Sequence, residues 1–373
     1  LDKMANIYSA IGLMSGTSLD AVDAVFLRTD GLDFIERVAS FSVAFDEEFR
    51  GELMAIATGV APLTHVLQVE RLFTKHALKA TLGVLNLPKT KQLSKPDVIG
   101  FHGQTVRHLP DENLTFQMGD SSYLSEKSGI PVVSDFRRRD MAAGGEGAPL
   151  ASYYHSAILK DYPGCHMVLN LGGVANITAI NSQQNMPNKI DIVAGDVGPG
   201  NGQLDLWMQK YFGQPYDDGG KISLMGQVDR AWITQALQKN AFFQKSLPKS
   251  ADRYQFEACW PDHLSPKDGA ATLAALTATA VVEATSGVFA REPNVWLAGG
   301  GAKNQAIVQE LKKKFSKVSP IDDIGISAQM LEAECFAWLA VRRLKGLPTS
   351  GPQTTGATKE TSGGVLTASC IYQ

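Results

Sequence analysis

The chain has 373 residues, 44% of them hydrophobic and 20% charged, with a formal net charge of −3. That length favours two domains with substantial cores, and the slightly acidic balance argues against nucleic acid or an acidic membrane as the main partner. Four cysteines, Cys165, Cys259, Cys335 and Cys370, stand without a CxxC pair, which supports neither a zinc knuckle nor a disulfide framework and suits a reducing compartment. No apolar run approaches the ~20 residues of a membrane span. The opening LDKMANIYSA lacks the apolar core of a signal peptide, so the expected location is the cytoplasm.

In chain order, IYSAIGLM (7–14), AVDAVFLR (21–28) and FIERVASFSVAF (34–45) read as strands parted by SGTS and TDGLD. Helices are expected over 47–58 and 64–83, the second from the spacing of Val66, Val69, Leu72 and Phe73. PDVIGFHGQTV (96–106) follows as a buried strand ending at a glycine turn. The second half repeats this grammar: HMVLNLG (166–172), ANITAI (175–180) and KIDIVAGD (189–196) are strands, with the polar tip NSQQNMPN (181–188) in place of TDGLD. A helix from Gly202 to about Tyr211 and an Ala/Thr-rich helix over 269–289 come next. NVWLAGGGAKN (294–304) reads as a buried strand ending in glycines, and the basic run ELKKKFSK (310–317) as the solvated face of a helix. A final helix over 328–346 closes on Gly346 and Pro348. The tail GPQTTGATKETSGGVL (351–366) suits a loop or a last strand. Three strands and then helices, used twice, imply two α/β domains of similar topology with a cleft between them, not plain βαβ alternation.

The chemistry-bearing residues gather at the strand ends. There is no GxxxxGK[ST] and no GxGxxG after a strand, so the common phosphate loops are excluded. The glycines lie in hairpin turns instead, where free N–H groups suit an anion. Ser15, Gly16, Thr17 and Ser18 would face a terminal phosphate, with Gly172 and Gly173 opposite and Gly299, Gly300 and Gly301 on the nucleoside side. Asp20 and Asp23 follow the first turn; a carboxylate there suits Mg²⁺ held through water. Asp196, ending a strand within AGDVGPGNGQLD (194–205), is either a general base or, as such a residue alone would more often be, a helix cap. Arg137, Arg138, Arg139 and Asp140 precede a glycine stretch, either as a clamp for a carboxylate or phosphate or as a solvated linker. His102 and Gln104 suit a polyhydroxylated ligand. His102 and His108, without matching carboxylates, make a poor metal pair.

Taken together, these motifs resemble the anhydro-N-acetylmuramic acid kinases, of the superfamily that shares the fold of actin, hexokinase and the heat-shock chaperone ATPases. The likeness runs through GLMSGTSLDAVD (12–23), FHGQTVRH (101–108), DFRRRDMAAGGEGAPL (135–150), LNLGGVANIT (169–178), DVGPGN (196–201), LAGGGAKN (297–304), EAECFAWLA (332–340) and TGA (355–357). It implies two ribonuclease H-like (actin-like ATPase) α/β domains flanking a central cleft, 1–136 plus 350–373 and 137–349. The activity it implies is conversion of 1,6-anhydro-N-acetylmuramic acid, ATP and water to N-acetylmuramic acid 6-phosphate and ADP, with Mg²⁺, in cell-wall recycling. It places the ATP loop on Gly16, Thr17, Ser18, Leu19, Asp20, Ala21, Val22 and Asp23. The catalytic base falls on Asp196, and sugar contacts on His102, Gln104, Arg137 and Asn201. A homodimer is expected by base rate. Three departures from the family pattern stand out: Ala21 for the usual Gly, Val197 for Thr, and Ala251, Asp252 and Tyr254 within PKSADRYQF (248–256), which bear on sugar specificity. Two other readings are a kinase of the same fold for another sugar and a sugar sensor without turnover. Intact Asp196 and phosphate turns, and the lack of an appended DNA-binding helix pair, speak against the sensor.

Overall fold

Strand β1 (Tyr8–Ser15) is apolar and buried over residues 10–13, as a central strand covered on both faces must be. The computed structural model describes residues 7–16, 18–59, 61–182, 190–251, 253–256 and 259–369. It divides the chain into two units, each with its own sheet. The first comprises the chain up to Lys160, Met330–Pro352 and the segment from Ala357; the second comprises Asp161–Gln329 and Gln353–Gly356.

In the first unit β1 pairs antiparallel with β2 (Ala21–Thr29), and β2 with β3 (Ile35–Ala44). On the other side of β1 lies β4 (Val98–Leu109), in parallel. An antiparallel β5 (Leu114–Met118) folds onto the far end of β4, and β6 (Val132–Ser134) extends the sheet in parallel. The helix Leu63–Leu85 turns Val69, Phe73, Ala77, Ala80 and Val84 into the core with Ile11, Phe26 and Phe101.

The second unit repeats the order. β7 (His166–Leu171), β8 (Ala175–Ser182) and β9 (Ile190–Gly198) form an antiparallel meander. β10 (Asn294–Ala298) joins β7 in parallel and β11 (Val318–Pro320) joins β10. The tail supplies β12 (Val365–Thr367), antiparallel to β6 in the first sheet. Each unit thus orders its strands as a meander of three followed by two parallel strands. The strand expectations hold to within a few residues; the polar tip falls largely on residues 183–189, outside the described residues. The expected 269–289 helix runs Pro266–Ala284, set by Ser265, whose side chain accepts from the Asp268 N–H, and by Pro266 at the first position. Only the first part of the basic run is helical, because the helix Gln305–Lys312 ends within it. No helix among the described residues is long and apolar enough to cross a membrane.

The closest packing in the first unit is backbone on backbone. Gly12 and Gly100 are register partners in β1 and β4, so both face the helix Leu331–Leu344. A Cβ on Gly12 would lie 1.8 Å from the Ala333 carbonyl oxygen, and one on Gly100 would lie 2.0 Å from that of Phe336. The helix presents Ala333, Ala337 and Ala340 here, all buried at helical spacing. A second anchor holds the same helix. The pairing of β2 with β3 shifts between Phe26 and Leu27, leaving Val38 as the extra residue of a bulge. Neighbouring Arg37 donates from Nε to both carboxylate oxygens of Glu334, at 2.9 and 2.8 Å, and the buried Tyr154 hydroxyl donates to the same group.

Gly100→Ala should therefore destabilise the protein by about 1–3 kcal/mol or more, since the clash is with helix backbone that cannot rotate away. Alanine at solvent-facing Gly51, where an added Cβ meets nothing within 4 Å, should leave the denaturation midpoint within experimental error or raise it. Chemical denaturation of the two variants measures the contrast.

Candidate active site

In the first unit, the β1–β2 turn occupies residues 16–20. Its backbone closes through the Leu19 N–H, which donates to the Gly16 carbonyl at 3.2 Å, with Leu19 at φ +56°. Leu19 and Val22 turn their side chains into the core, so only their backbone is left to meet a ligand. Ser18 and Asp20 are exposed. Arg50 steadies the turn, donating to the Ser18 carbonyl at 3.3 Å and pairing with Asp20 at 3.2 Å. Thr17 lies outside the described residues. Ala21 pairs with Ala44 at the start of β2, and the Asp23 carboxylate accepts from the Ser42 hydroxyl.

Beside this turn stands the bulged end of β4. The β1–β4 register passes from Leu13 opposite Phe101 to Ser15 opposite Gln104, so β4 carries one extra residue there, with Gly103 at φ +80°. The bulge sends Gln104 to the turn, where Nε2 donates to the Gly16 carbonyl at 3.3 Å. Its Oε1 is buried and has no partner among the described residues, nor has the Ser15 hydroxyl. An acceptor left in that state suits a ligand hydroxyl.

His102, on the same bulge, is engaged on both ring nitrogens. Nδ1 lies 2.8 Å from the Gly103 carbonyl, and Nε2 accepts from Arg137 Nε and Nη2 at 3.2 and 2.9 Å. The ring is therefore the neutral Nδ1–H tautomer. Burial holds its pKa well below the usual histidine range, with the Arg137 charge acting in the same direction. Arg137 continues through Nη1 to the Gly147 carbonyl at 2.7 Å, and the Gly147 N–H is held by Asp140 at 2.8 Å. Asp140 is fully buried and also takes the Ser350 hydroxyl, so this glycine stretch is anchored from within and is no solvated linker. Arg138 pairs with Asp135 at 3.5 Å, while Arg139 is exposed. A cavity of about 240 Å³ opens next to His102, with Glu70, Gln117, Asp135 and Arg138 among its walls.

Glu332 completes the charges of this unit. Burial raises its pKa, Arg137 opposes that rise and Asp23 adds to it, so the three side chains share one field. The motif EAECFAWLA (332–340) carried the family likeness but gave Glu332 no role, because its neighbours come from β2 and from the segment after β6.

The second unit holds the other candidates. Gly172 and Gly173 form the β7–β8 turn, and the segment after β9 lies directly on it: the Asn201 N–H donates to the Gly172 carbonyl at 2.8 Å and the Gly202 N–H to that of Gly173 at 3.1 Å. Asn201 Nδ2 donates to the Leu171 carbonyl at 3.3 Å, and its Oδ1 is buried without a partner among the described residues. A Cβ on Gly301 would come within 2.5 Å of that oxygen, and Gly299 holds φ +78° against Leu171. Gly172, Gly173, Asn201 and Gly299–Gly301 are therefore one cluster.

Asp196 sits at the end of β9 and is 7% exposed. Its N–H donates to the Lys249 carbonyl at 2.7 Å, and its Oδ2 accepts from the Ala251 N–H at 2.8 Å. Gly195 makes room for that segment, since a Cβ there would lie 2.8 Å from the Lys249 oxygen. Val197, next on the strand, faces the opposite way into the core, so the hydroxyl missing at this position would have pointed into the apolar interior. Asp252 lies outside the described residues.

Two sheets with the same strand order, each with a small-residue turn after its first strand, define a protein of two α/β units. The family model described as "Anhydro-N-acetylmuramic acid kinase" matches residues 8–369. A protein of that name from Acidiphilium cryptum is 41% identical over 363 residues, covering 95% of this chain and 97% of its own. Another, from Gluconobacter oxydans, is 42% identical over 357 residues, covering 93% and 96%. A ligand-bound xylulose kinase from Lactobacillus acidophilus is similar in structure, at a TM-score of 0.44 and 11% identity over 91% of this chain and 90% of its own. The chain belongs to the anhydro-N-acetylmuramic acid kinase family.

Gly16 leaves open space beside the first turn: a Cβ there would meet nothing nearer than the Ser18 hydroxyl at 3.6 Å. Gly16→Val should fold with wild-type thermal stability and lose nucleotide affinity at least ~10-fold, by filling the space above the turn. Calorimetry with ATP reads this directly; unchanged affinity in the folded variant removes Gly16 from the nucleotide site.

Proposed function

We propose that this chain opens the bridge of 1,6-anhydro-N-acetylmuramic acid with water and phosphorylates the freed O6 from ATP, giving N-acetylmuramic acid 6-phosphate and ADP. The bridged sugar carries no O6 hydroxyl, so the acceptor must be made before it is phosphorylated. Water adds to C1, the C1–O6 bond breaks, and O6 takes the γ-phosphoryl group as ADP leaves. The water proton passes to Asp196 and then to solvent. Neutral water is a poor nucleophile, and a positioned carboxylate base contributes typically ~10²–10⁴-fold.

The observation that carries this reading is the fixing of Asp196. Its backbone and one carboxylate oxygen are tied to residues 249–251, within a nearly buried environment. A carboxylate held in one rotamer needs no reorganisation to accept a proton. The orphaned acceptors Gln104 Oε1 and Asn201 Oδ1 support roles toward hydroxyl groups of the substrates; Arg137, oriented by His102 and the Gly147 carbonyl, would bring its charge toward a carboxylate or phosphate. Phosphoryl transfer otherwise asks for positioning and charge neutralisation, which the turns at Gly16–Asp23, Gly172–Gly173 and Gly299–Gly301 would supply to ATP through backbone N–H groups. Mg²⁺ fits an outer position: Asp20 is exposed beside the first turn, and no group of three or more His, Cys, Asp or Glu among the described residues forms an all-protein cage. Such a site suits an ion that keeps most of its waters. When bound there it would neutralise phosphate charge. We place the enzyme in the cytoplasm, as a homodimer, in cell-wall recycling.

Asp196→Asn keeps the size of the side chain and should bind both substrates yet turn over at least ~100-fold more slowly. In ¹⁸O-labelled water the wild type should put label on the C1 hydroxyl and none on the phosphate. Label in the phosphate, or an Asn variant at near full rate, removes the mechanism while leaving family membership intact.

A further inference from the structure

The glycine turn after β10 is held differently at its two ends. At the entry, Gly299 lies against β7: a Cβ there would come within 2.5 Å of the Asn170 side-chain oxygen and 2.8 Å of the Leu171 carbonyl oxygen. At the exit the support passes through a side chain. Asn304, 6% exposed, caps the helix Gln305–Lys312, its Oδ1 accepting from the Ala306 and Ile307 N–H groups at 3.0 and 3.3 Å. Its own N–H donates to the Gly301 carbonyl at 3.0 Å. Whatever fixes Asn304 therefore fixes the exit of the turn.

That support comes from the segment YDDGGKISLMG (216–226). The Asp217 carboxylate is 5% exposed and closes the segment into a loop. Its Oδ1 accepts from the Ile222 N–H at 2.9 Å, and its Oδ2 accepts from the Ser223 N–H at 2.9 Å and the Ser223 hydroxyl at 2.7 Å. Gly220, at φ +77°, is the point of the loop that rests on the cap: a Cβ there would lie 2.4 Å from Asn304 Oδ1 and 2.9 Å from the Ala306 nitrogen. At the far end of the loop, a Cβ on Gly226 would lie 2.1 Å from the Lys267 carbonyl oxygen, in the first turn of the helix Pro266–Ala284. The loop is thus wedged between the starts of two helices, and one buried carboxylate sets its shape. Hydrogen bonds to a charged acceptor are the strong ones, so this closure is firm.

We infer that Asp217 is a positioning residue for the nucleoside half of ATP, acting through Gly220 and Asn304 on the turn Gly299–Gly301. This rests on the reading of that turn as the nucleoside side of the ATP site. Asp217 is enclosed in its own loop and does not touch the nucleotide. With the carboxylate in place the turn keeps one shape before the ligand arrives, so binding does not have to order it. The turn Gly172–Gly173 is held by Asn201 and Gly202 instead, and the phosphates do not depend on Asp217. A carboxylate that only stabilised its unit would affect every ligand alike.

The test is calorimetry on the full-length protein with two probes, ADP and inorganic tripolyphosphate, beside steady-state kinetics. Asp217→Asn keeps the size of the side chain but turns an amide N–H₂ toward other donors. ADP affinity should fall at least about tenfold, the usual scale for losing hydrogen bonds to a charged group. Tripolyphosphate, which has no nucleoside, should bind within about twofold of wild type, and KM should rise for ATP but not for the sugar, with kcat kept at saturating ATP. Ser223→Ala removes one donor and leaves the carboxylate paired; it should weaken ADP by about two- to fivefold, and it carries the test if the Asn variant does not fold. Equal weakening of both probes, or unchanged ADP affinity in a folded variant, overturns the proposal. Gly300→Val tests the underlying reading separately, since a Cβ at Gly300 meets nothing nearer than Asn201 Nδ2 at 3.8 Å. If ADP affinity falls there but not in Asp217→Asn, the turn is the nucleoside side and Asp217 does not position it. If Gly300→Val leaves ADP affinity unchanged, the nucleoside reading fails on its own, and the route assigned to Asp217 fails with it.

Discussion

The contact between the glycine pair of the first sheet and the helix Leu331–Leu344 is the constraint on which that unit depends. With Gly12 and Gly100 side by side, the helix backbone rests on the sheet where any Cβ would intrude. Helix depth then decides where its polar residues come out. Glu334 meets Arg37 and Tyr154 on one side, and Glu332 shares a field with Arg137 and Asp23 on the other. Phe336, from the same helix, packs 4.5 Å from the His102 ring, so the surface that buries this histidine comes from a segment more than two hundred residues away. A shift of one ångström in helix depth would disturb both the anchor and the site.

Burial then sets the protonation states. His102 is enclosed and faces a guanidinium, both of which disfavour a second positive charge, so it serves as an acceptor that orients Arg137. Its role is to aim a cation, and Asp140 supports the same cation at one remove through the Gly147 peptide. In the second unit the order is reversed. There a carboxylate is held by the Ala251 backbone N–H. Both halves place a charged group by spending their backbone polar groups on it, which keeps the group in one rotamer.

Much of this architecture was legible in the residues. Apolar runs interrupted by SGTS and by GGV mark strand–turn–strand units because small residues are needed where backbone turns sharply and lies open to a ligand. At Asp196 a carboxylate closing an apolar strand before a glycine-rich turn suited a base or a helix cap alike, and the family resemblance chose between them. Leu19 and Val22 were less legible. Lying within the proposed nucleotide loop, they are nonetheless core residues, because a hairpin turn must be tied down by the side chains it turns inward. Val197 is similar: strand alternation alone puts it opposite to Asp196, whatever hydroxyl a relative carries there. Glu332 lay inside a stretch that carried the family likeness, yet its local sequence named no charged partner for it.

The sequence by itself determined the elements, the repeated strand grammar, the family and the candidate base, because these follow from periodicity, turn chemistry and motif order along the chain. Tertiary structure alone decided which charges meet. The tautomer of His102, the aim of Arg137, the buried acceptors of Gln104 and Asn201 and the seating of residues 249–251 against Asp196 each join segments tens to hundreds of residues apart. The physical reason is that electrostatic coupling and desolvation depend on distance in space and on what has been excluded between the groups, and neither is written in the order of residues.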